Sequence, residues 1–282
     1  MTKVKTLFLL IAAFMVCSCS TTTFVYNNVD WFIEFYLDDY VELDSKQEEI
    51  LVKSVNKLRS WHRTTELSKY KTDLTLFTEQ LKEQHLNRDQ WLDIFSKSKR
   101  HIYNFRDEVA PEAIKLIQQL SDDQINQVLV LWSENDHEEF EEFTQLGAEE
   151  EIEVRQEKIK EALERNIGDL SSQQESIVYR YSLRIESTFV EENAYSKKLR
   201  TALEQLLDNR NTDEFSNKFT FLIKNLDSFK SESLLNAKQT NEYVYAELLS
   251  ELNASLSKKQ RDNLLKKLKS HIETLDSLIN SF

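Results

Sequence analysis

The fold of this chain is decided by residues 43–81, which read LDSKQEEILVKSVNKLRSWHRTTELSKYKTDLTLFTEQL. The stretch has neither glycine nor proline, and its apolar residues recur at spacings of three and four, the period of one helix face. Asp44 and Gln47 at its start form a capping box, in which each side chain accepts the other residue's backbone N–H. The sequence therefore predicts a helix from Ser45 to about Gln84.

The same pattern at a helix start recurs four more times. It consists of a leucine, a capping residue, two variable residues and a glutamine. The further instances are Leu86 to Gln90, Leu120 to Gln124, Leu170 to Gln174 and Leu256 to Gln260. The chain has only two glycines and one proline in 282 residues, where average usage gives about 20 and 14. A β-protein needs turn residues every few positions, so this shortage predicts an all-α fold.

These starts divide the chain into successive helices. The predicted ranges are Asp30 to Tyr40, Ser45 to Gln84, Arg88 to Val109 with a short helix Glu112 to Gln119 after Pro111, Asp122 to Ile167, Ser172 to Leu207, Thr212 onward, and Lys258 to the C-terminus. Short corners place sequential helices antiparallel. The expected architecture is an elongated antiparallel bundle of six or seven helices with coiled-coil-like seams, over residues 43–282.

The N-terminus has the layout of a secretory signal. Lys3 and Lys5 precede an uninterrupted apolar run from Leu7 to Val16. A basic start, a short apolar run and small residues before the cut are typical of such signals. The run is too short for a membrane span, which needs about 20 residues. We expect residues 1–18 to be a signal peptide and residues 19–42 to be a tether with the first short helix.

The end of this segment resembles the lipobox of bacterial lipoproteins. Val16, Cys17 and Ser18 fill the places before the invariant cysteine, and Cys19 stands in the place of the lipidated residue. The resemblance implies cleavage before Cys19 and acylation of its thiol. Because Ser20, rather than aspartate, follows Cys19, it also implies attachment to the outer membrane, facing the periplasm. A plain cleaved signal with unmodified Cys19 is the alternative.

Composition disfavours several classes of function. Loss of Lys3 and Lys5 takes the net charge from −13 to −15, and nucleic-acid binding needs a basic surface. With Cys19 acylated, the mature chain has no thiol for a disulfide, a nucleophile or a metal. Gly147 and Gly168 are the only glycines, so no glycine-rich phosphate loop is present. The five histidines lack metal-ligand spacing, and we predict neither an enzyme nor a cofactor, metal or small-molecule substrate.

Two groups of residues are candidates for binding a partner protein. Trp61, His62, Arg63 and Tyr70 bring aromatic rings beside an arginine, a pairing that favours cation–π contact. The alternative for this group is a polar contact between helices. Residues 134–164 hold 13 acidic and 3 basic residues, with Glu138, Glu139 and Glu142 in a sparsely apolar part. The alternative there is a solvated helix face.

Two family resemblances can be named from these motifs. The first resemblance is to an uncharacterised lipoprotein family of Gram-negative bacteria, a domain of unknown function. The motifs that carry it are Tyr26-Asn27-Asn28 with Asp30-Trp31, the Trp61-His62-Arg63 group, and the stretch from Glu164 to Gln174. This implies an envelope lipoprotein and no particular activity. The repeated Leu-x-x-x-Gln corners are similar to the Leu-Thr-x-x-Gln motif of the Spy/CpxP periplasmic chaperones, with Asp, Asn or Ser in place of Thr.

The predicted function is that of a non-enzymatic lipoprotein that faces the periplasm. Its membrane contact would be the N-terminal lipid, and its partner an envelope protein that it binds or supports. The alternatives are a client binder of the Spy/CpxP type, as the second resemblance implies, or an enzyme or metal binder.

Overall fold

The structure is a computed structural model that describes residues 19–281 of the chain. Within that range the regular structure is entirely helical and the molecule is elongated. The all-α prediction is confirmed. The predicted signal peptide, residues 1–18, lies outside the described residues.

The helices are numbered here in chain order. They are α1 Cys19–Asn27, α2 Val29–Leu37, α3 Ser45–Trp61, a π-helical turn His62–Glu66, α4 Leu67–Glu83, α5 Arg88–Ile117, α6 Asp122–Thr144, α7 Ala148–Ile167, α8 Ser172–Ser182, α9 Phe189–Leu207, α10 Phe215–Lys224, a 3-10 turn Leu226–Phe229, α11 Glu232–Ser255 and α12 Lys258–Asn280. Together, α3, the π turn and α4 form one continuous helical rod of about 60 Å at 1.5 Å per residue.

All five predicted capping boxes are present. The N-cap residues are Asp44, Asn87, Ser121, Ser171 and Ser257, and each accepts from the N–H of the glutamine three residues on, which bonds back in return. Each such cap contributes about 1 kcal/mol to helix stability. The five helix starts read from the sequence are therefore confirmed.

Helix ends were less predictable, and the expected stop before Pro111 is wrong. Helix α5 runs without interruption from Arg88 to Ile117, with Pro111 inside it. Proline in a helix interior removes one hydrogen bond and crowds the preceding turn. Here Pro111 faces solvent while its neighbours Ala110 and Glu112 are buried, so tertiary packing on both sides outweighs the local penalty.

Three further predicted helices are each broken in the middle. The helix expected from Asp122 to Ile167 stops at Thr144 and restarts after Gly147. The helix expected from Ser172 to Leu207 is interrupted between α8 and α9. The helix expected from Thr212 onward is instead α10, the 3-10 turn and α11. Residues 19–42, expected to hold one short helix, hold two.

Contacts from other helices stabilise at least one of these breaks. The Arg155 guanidinium of α7 donates to the carbonyl oxygens of Ser182 and Ile185, at 2.9 and 3.0 Å, where α8 ends. Asn241 of α11 accepts from the N–H of Glu186 and donates to its carbonyl oxygen, both at 2.8 Å. Such partners come from distant parts of the chain, so the break has no local sequence signal.

The rod of α3 and α4 is antiparallel to the helix that follows it, α5, as predicted. Lys57 in the first part of the rod pairs with Glu112 of α5. Asp73, later in the rod, pairs with His101, earlier in α5.

Helices α4 and α12, which are distant in sequence, are antiparallel as well. Lys71 of α4 pairs with Asp276 of α12 at 2.5 Å, while Arg261, earlier in α12, donates to the carbonyl of Leu81, later in α4. The core is divided along the length of the molecule. One cluster joins α8 to α11, a second joins α5, α9 and α10 around Phe215, and a third joins α4 to α12.

Candidate functional site

The Trp61-His62-Arg63 group lies where α3 passes into the π-helical turn. All three side chains are half-buried, as is Tyr70 one turn beyond the π turn. The His62 ring meets the rings of Tyr70 and Phe105 edge-on, with centroids 5.3 and 5.8 Å apart. Single π turns are frequent at functional sites. These ring contacts bring the predicted residues of this group together in one aromatic cluster.

The aromatic ring beneath the arginine comes from the N-terminal segment. The Arg63 guanidinium lies 5.3 Å from the ring centroid of Tyr26, a residue of α1. The Tyr26 hydroxyl lies 3.1 Å from His62 Nδ1 and donates to the carbonyl oxygen of Arg59 at 3.3 Å. The two motifs that the sequence places 35 residues apart thus form one contact in the structure.

The same arginine joins the two ends of the described chain. Arg63 donates to the Asn27 side-chain oxygen at 2.5 Å and to the Ser281 carbonyl oxygen at 2.8 Å. Arg59 donates to the Asn27 carbonyl and pairs with Asp30 at 3.7 Å. We call the set of Tyr26, Asn27, Arg59, His62, Arg63 and Ser281 the N-terminal clamp.

Burial sets the protonation states of His62 and Tyr26 in the clamp and of the neighbouring Tyr70. It lowers the pKa of His62 to about 4 and raises the pKa of Tyr70 to about 12. Burial also raises the pKa of Tyr26, although Arg63 and Arg59 oppose the shift. At neutral pH, His62 is therefore uncharged and both tyrosines are protonated. None of them has a pKa near 7, where general acid–base catalysis is most effective.

A buried group of charged residues lies next to the π turn, and no sequence pattern predicts it. Glu66 is fully buried and bonds to Lys69 at 2.6 Å. His101 of α5 lies between two carboxylates, 3.6 Å from Glu66 and 2.8 Å from Asp73. Burial raises the pKa of Glu66, but Lys69, Asn104 and His101 outweigh it and lower the pKa. These residues connect α4 to α5, and their spacing in sequence gives no hint of it.

The acidic candidates lie apart from the clamp, on α6. Glu138 and Glu142 are exposed and Glu139 is half-buried. The opposite face of α6 is fixed by buried Asp136, which accepts from Ser196 at 2.8 Å and from Arg200 at 2.7 Å of α9. The exposed carboxylates continue on α7 beyond the corner, and we call Glu138, Glu141, Glu142, Glu149 and Glu150 the acidic corner.

Partner binding by the clamp or by the acidic corner stays a prediction. The hydrogen bonds of Arg63 and His62 described above all go to other parts of the same chain. Within residues 19–281, no three His, Cys, Asp or Glu side chains are placed to hold a metal ion. In the same range no helix has both the length and the apolarity to cross a membrane.

Comparison with known proteins gives one match, at the level of a family. Neither the curated proteins nor the solved structures contain a match to this chain. A family of unknown function, DUF6279, matches residues 39–235. The matched region includes the clamp residues of α3, the acidic corner and four of the five capping boxes, and it begins after Tyr26 and Asp30. The chain belongs to the DUF6279 family, whose function is unknown.

Proposed function

We propose that this chain is a non-enzymatic outer-membrane lipoprotein, held by acyl chains on Cys19, whose helical body faces the periplasm and binds another envelope protein. The observation that carries the proposal is the N-terminal clamp. Helix α1 begins at Cys19, and Tyr26 and Asn27 at its other end are bonded to Arg59, His62 and Arg63 of the body. A lipid on Cys19 would therefore hold the body in a defined orientation.

The chemistry of such an anchor is adequate for stable attachment. Each buried methylene group contributes about 0.8 kcal/mol, and one acyl chain alone gives only reversible binding. Bacterial lipoproteins carry several chains on one cysteine, which the lipobox resemblance implies for Cys19. The clamp then transmits the position of the lipid to the body through helix α1.

The acidic corner is the surface that we propose for the partner. Its five glutamates are exposed and lie on both sides of the break between α6 and α7. Helix α6 has no basic cluster that would neutralise them. A surface of one charge sign attracts and orients a partner of the opposite sign. We therefore propose an envelope protein with a basic surface as the partner.

Cell fractionation tests the anchor. The Cys19→Ser variant should leave the membrane fraction and appear in the soluble envelope fraction. Cys17→Ser is the matched control, because the lipobox assigns Cys17 to the cleaved signal, and it should stay with the membrane. If Cys19→Ser remains in the membrane fraction in the same amount, the proposed anchor is wrong.

Photo-crosslinking tests the partner. A probe at Glu142 should yield one dominant envelope protein, and a probe at exposed Lys218 on α10 should not. A broad mixture of exported proteins from both positions would contradict a dedicated partner and favour client binding of the Spy/CpxP type.

A further inference from the structure

The outer face of the first two helices is aromatic. In residues 22–37, the exposed side chains are Phe24, Trp31 and Phe35, with 60, 58 and 69% of their surfaces accessible. The Trp31 and Phe35 rings stack with their centroids 6.2 Å apart. The other side chains of this range are half-buried. A soluble surface normally exposes polar side chains, so this face is unusual for its composition.

These three aromatic residues lie on both sides of the junction between the two helices. Helices α1 and α2 meet at Asn28, whose N–H bonds to the carbonyl of Phe24 and whose carbonyl accepts from Phe32, while its own backbone leaves the helical conformation, with φ −115° and ψ 29°. Trp31 and Phe35 are four residues apart in α2, a spacing that places side chains on the same face of a helix. We call Phe24, Trp31 and Phe35 the aromatic stripe.

The opposite side of the same helices is attached to the body. Tyr26 follows Phe24 by two residues in α1, about 200° around a helix with 3.6 residues per turn, and Asp30 precedes Phe35 by five residues in α2, about 140° around that helix. Tyr26 contacts His62, and Asp30 pairs with Arg59. The clamp therefore turns the aromatic stripe away from the body.

The position of the stripe indicates what covers it. Phe24, Trp31 and Phe35 follow Cys19 by 5, 12 and 16 residues, so they lie at most about 24 Å from it along two short helices. Acyl chains on Cys19 would enter the bilayer, so they would bring the first residue of α1 to its surface. Tryptophan rings favour the headgroup level of a membrane, where one part of the ring is wet and the other apolar.

Charge further restricts the kind of lipid surface. From Cys19 to Ser45 the chain has no lysine or arginine and six acidic residues. Anionic lipids are attracted by basic segments, so this segment gains nothing from them. Insertion of the aromatic stripe would depend on apolar contact with uncharged or zwitterionic lipid.

We infer that the aromatic stripe is a second, non-covalent membrane contact, which inserts at the headgroup level of a zwitterionic bilayer and lays α1 and α2 along its surface. The inference rests on the proposed anchor at Cys19. The anchor brings the stripe to the bilayer, and the stripe fixes the rotation of the body about the lipid.

A single fluorescent label tests this inference. Once Cys19 is acylated, the mature chain has no free thiol, so Phe35→Cys introduces a unique labelling site. Phe221→Cys on α10 is the matched control, because Phe35 and Phe221 are 69 and 70% exposed. The acylated proteins are labelled with an environment-sensitive dye and reconstituted into phosphatidylcholine vesicles that carry nitroxide lipids. Phe24→Cys repeats the measurement at the other end of the stripe, and circular dichroism confirms the helical fold of each variant.

The inference predicts a blue shift and the loss of about half or more of the fluorescence at position 35, as expected for a group at the headgroup boundary. The label at position 221 should be unaffected. No quenching at positions 35 and 24 would overturn the inference. Equal quenching at positions 35 and 221 would also overturn it, because contact would then not be specific to the stripe.

A second copy of the chain is the competing occupant. A concentration-dependent blue shift at position 35 in lipid-free Cys19→Ser protein would overturn the inference in favour of self-association. The mass of the N-terminal peptide reports acylation separately. If Cys19 is acylated and the label at position 35 stays in water, the stripe inference fails and the proposed anchor survives.

Discussion

Gln174 and Gln260 donate to each other's side-chain oxygens at 3.0 and 2.8 Å, although 86 residues separate them. Gln174 also donates to the carbonyl oxygen of Ser255, and Gln260 donates to that of Asp169. In both cases the acceptor lies two residues before the N-cap of the other glutamine's helix. Gln47 and Gln124 repeat this arrangement at the corners that open α3 and α6. The capping glutamines therefore also join helix corners in pairs.

The paired corners should contribute more to stability than an unpaired one. We expect Gln174→Ala to lower the free energy of unfolding by about 2 kcal/mol or more, because it removes a cap and leaves buried partners of the amide without hydrogen bonds. Gln90→Ala is the matched control, since Gln90 bonds within its own corner, and it should cost about 1 kcal/mol or less. Urea unfolding of both variants measures the difference, and equal losses would contradict a role for pairing.

The corners show what the sequence could and could not predict. Each capping box is local, with both partners within four residues, so a leucine, a cap and a glutamine were enough to place five helix starts. The pairing of Gln174 with Gln260 depends on which corners meet in space. The short-range pattern does not specify which corners pair, because the capping residues of all five corners are alike.

Arg63 should control the attachment of the first helices. Arg63→Ala removes the bonds to Asn27 and Ser281 and the contact with the Tyr26 ring. Hydrogen bonds to charged groups contribute about 1.5–3 kcal/mol, so we expect about tenfold or faster hydrogen exchange in residues 22–37. Exposed Arg165→Ala on α7 is the control. Unchanged exchange in both variants would mean that the clamp does not depend on Arg63.

His62 should make stability depend on pH. Its pKa in the folded chain is lowered to about 4, against 6.5 for a free histidine. The unfolded state therefore binds more protons between these values, and stability is complete above pH 6.5 and falls as the pH drops towards 4. The loss from this residue is up to about 3 kcal/mol.

A comparison of two histidine variants isolates this effect. The unfolding free energy of His62→Gln should depend less on pH between 6.5 and 4 than that of the unsubstituted chain. Exposed His137→Gln should leave the pH dependence unchanged. If His62→Gln retains the full pH dependence, the burial of His62 is not its source.

Pro111 offers a test of the continuous α5 helix. Proline in a helix interior costs about 3 kcal/mol relative to alanine, and Pro111 is exposed, so its replacement loses little packing. We expect Pro111→Ala to raise the free energy of unfolding by about 1–3 kcal/mol. A loss of stability would instead support the end of the helix near Val109 that the sequence alone suggests.

The candidate site is only partly predictable from the sequence. The sequence indicates a dense group at Trp61, His62, Arg63 and Tyr70, and a separate motif at the N-terminus. Their contact through Tyr26 depends on the packing of α1 against α3, which no local pattern specifies. The contact of Glu66 with His101 has no local signal either, because the two residues are 35 positions apart in the sequence. The aromatic stripe was hidden for a similar reason, since Phe24, Trp31 and Phe35 look like ordinary core residues until the structure shows which face is covered.

Mass spectrometry of the N-terminal peptide, from protein purified out of its own membrane, tests the central claim most directly. The account predicts that the mature chain begins at Cys19 and that this residue has the added mass of its acyl chains. A mature chain that begins at another residue, or an unmodified Cys19, would contradict the anchor and with it the orientation that the N-terminal clamp is proposed to set.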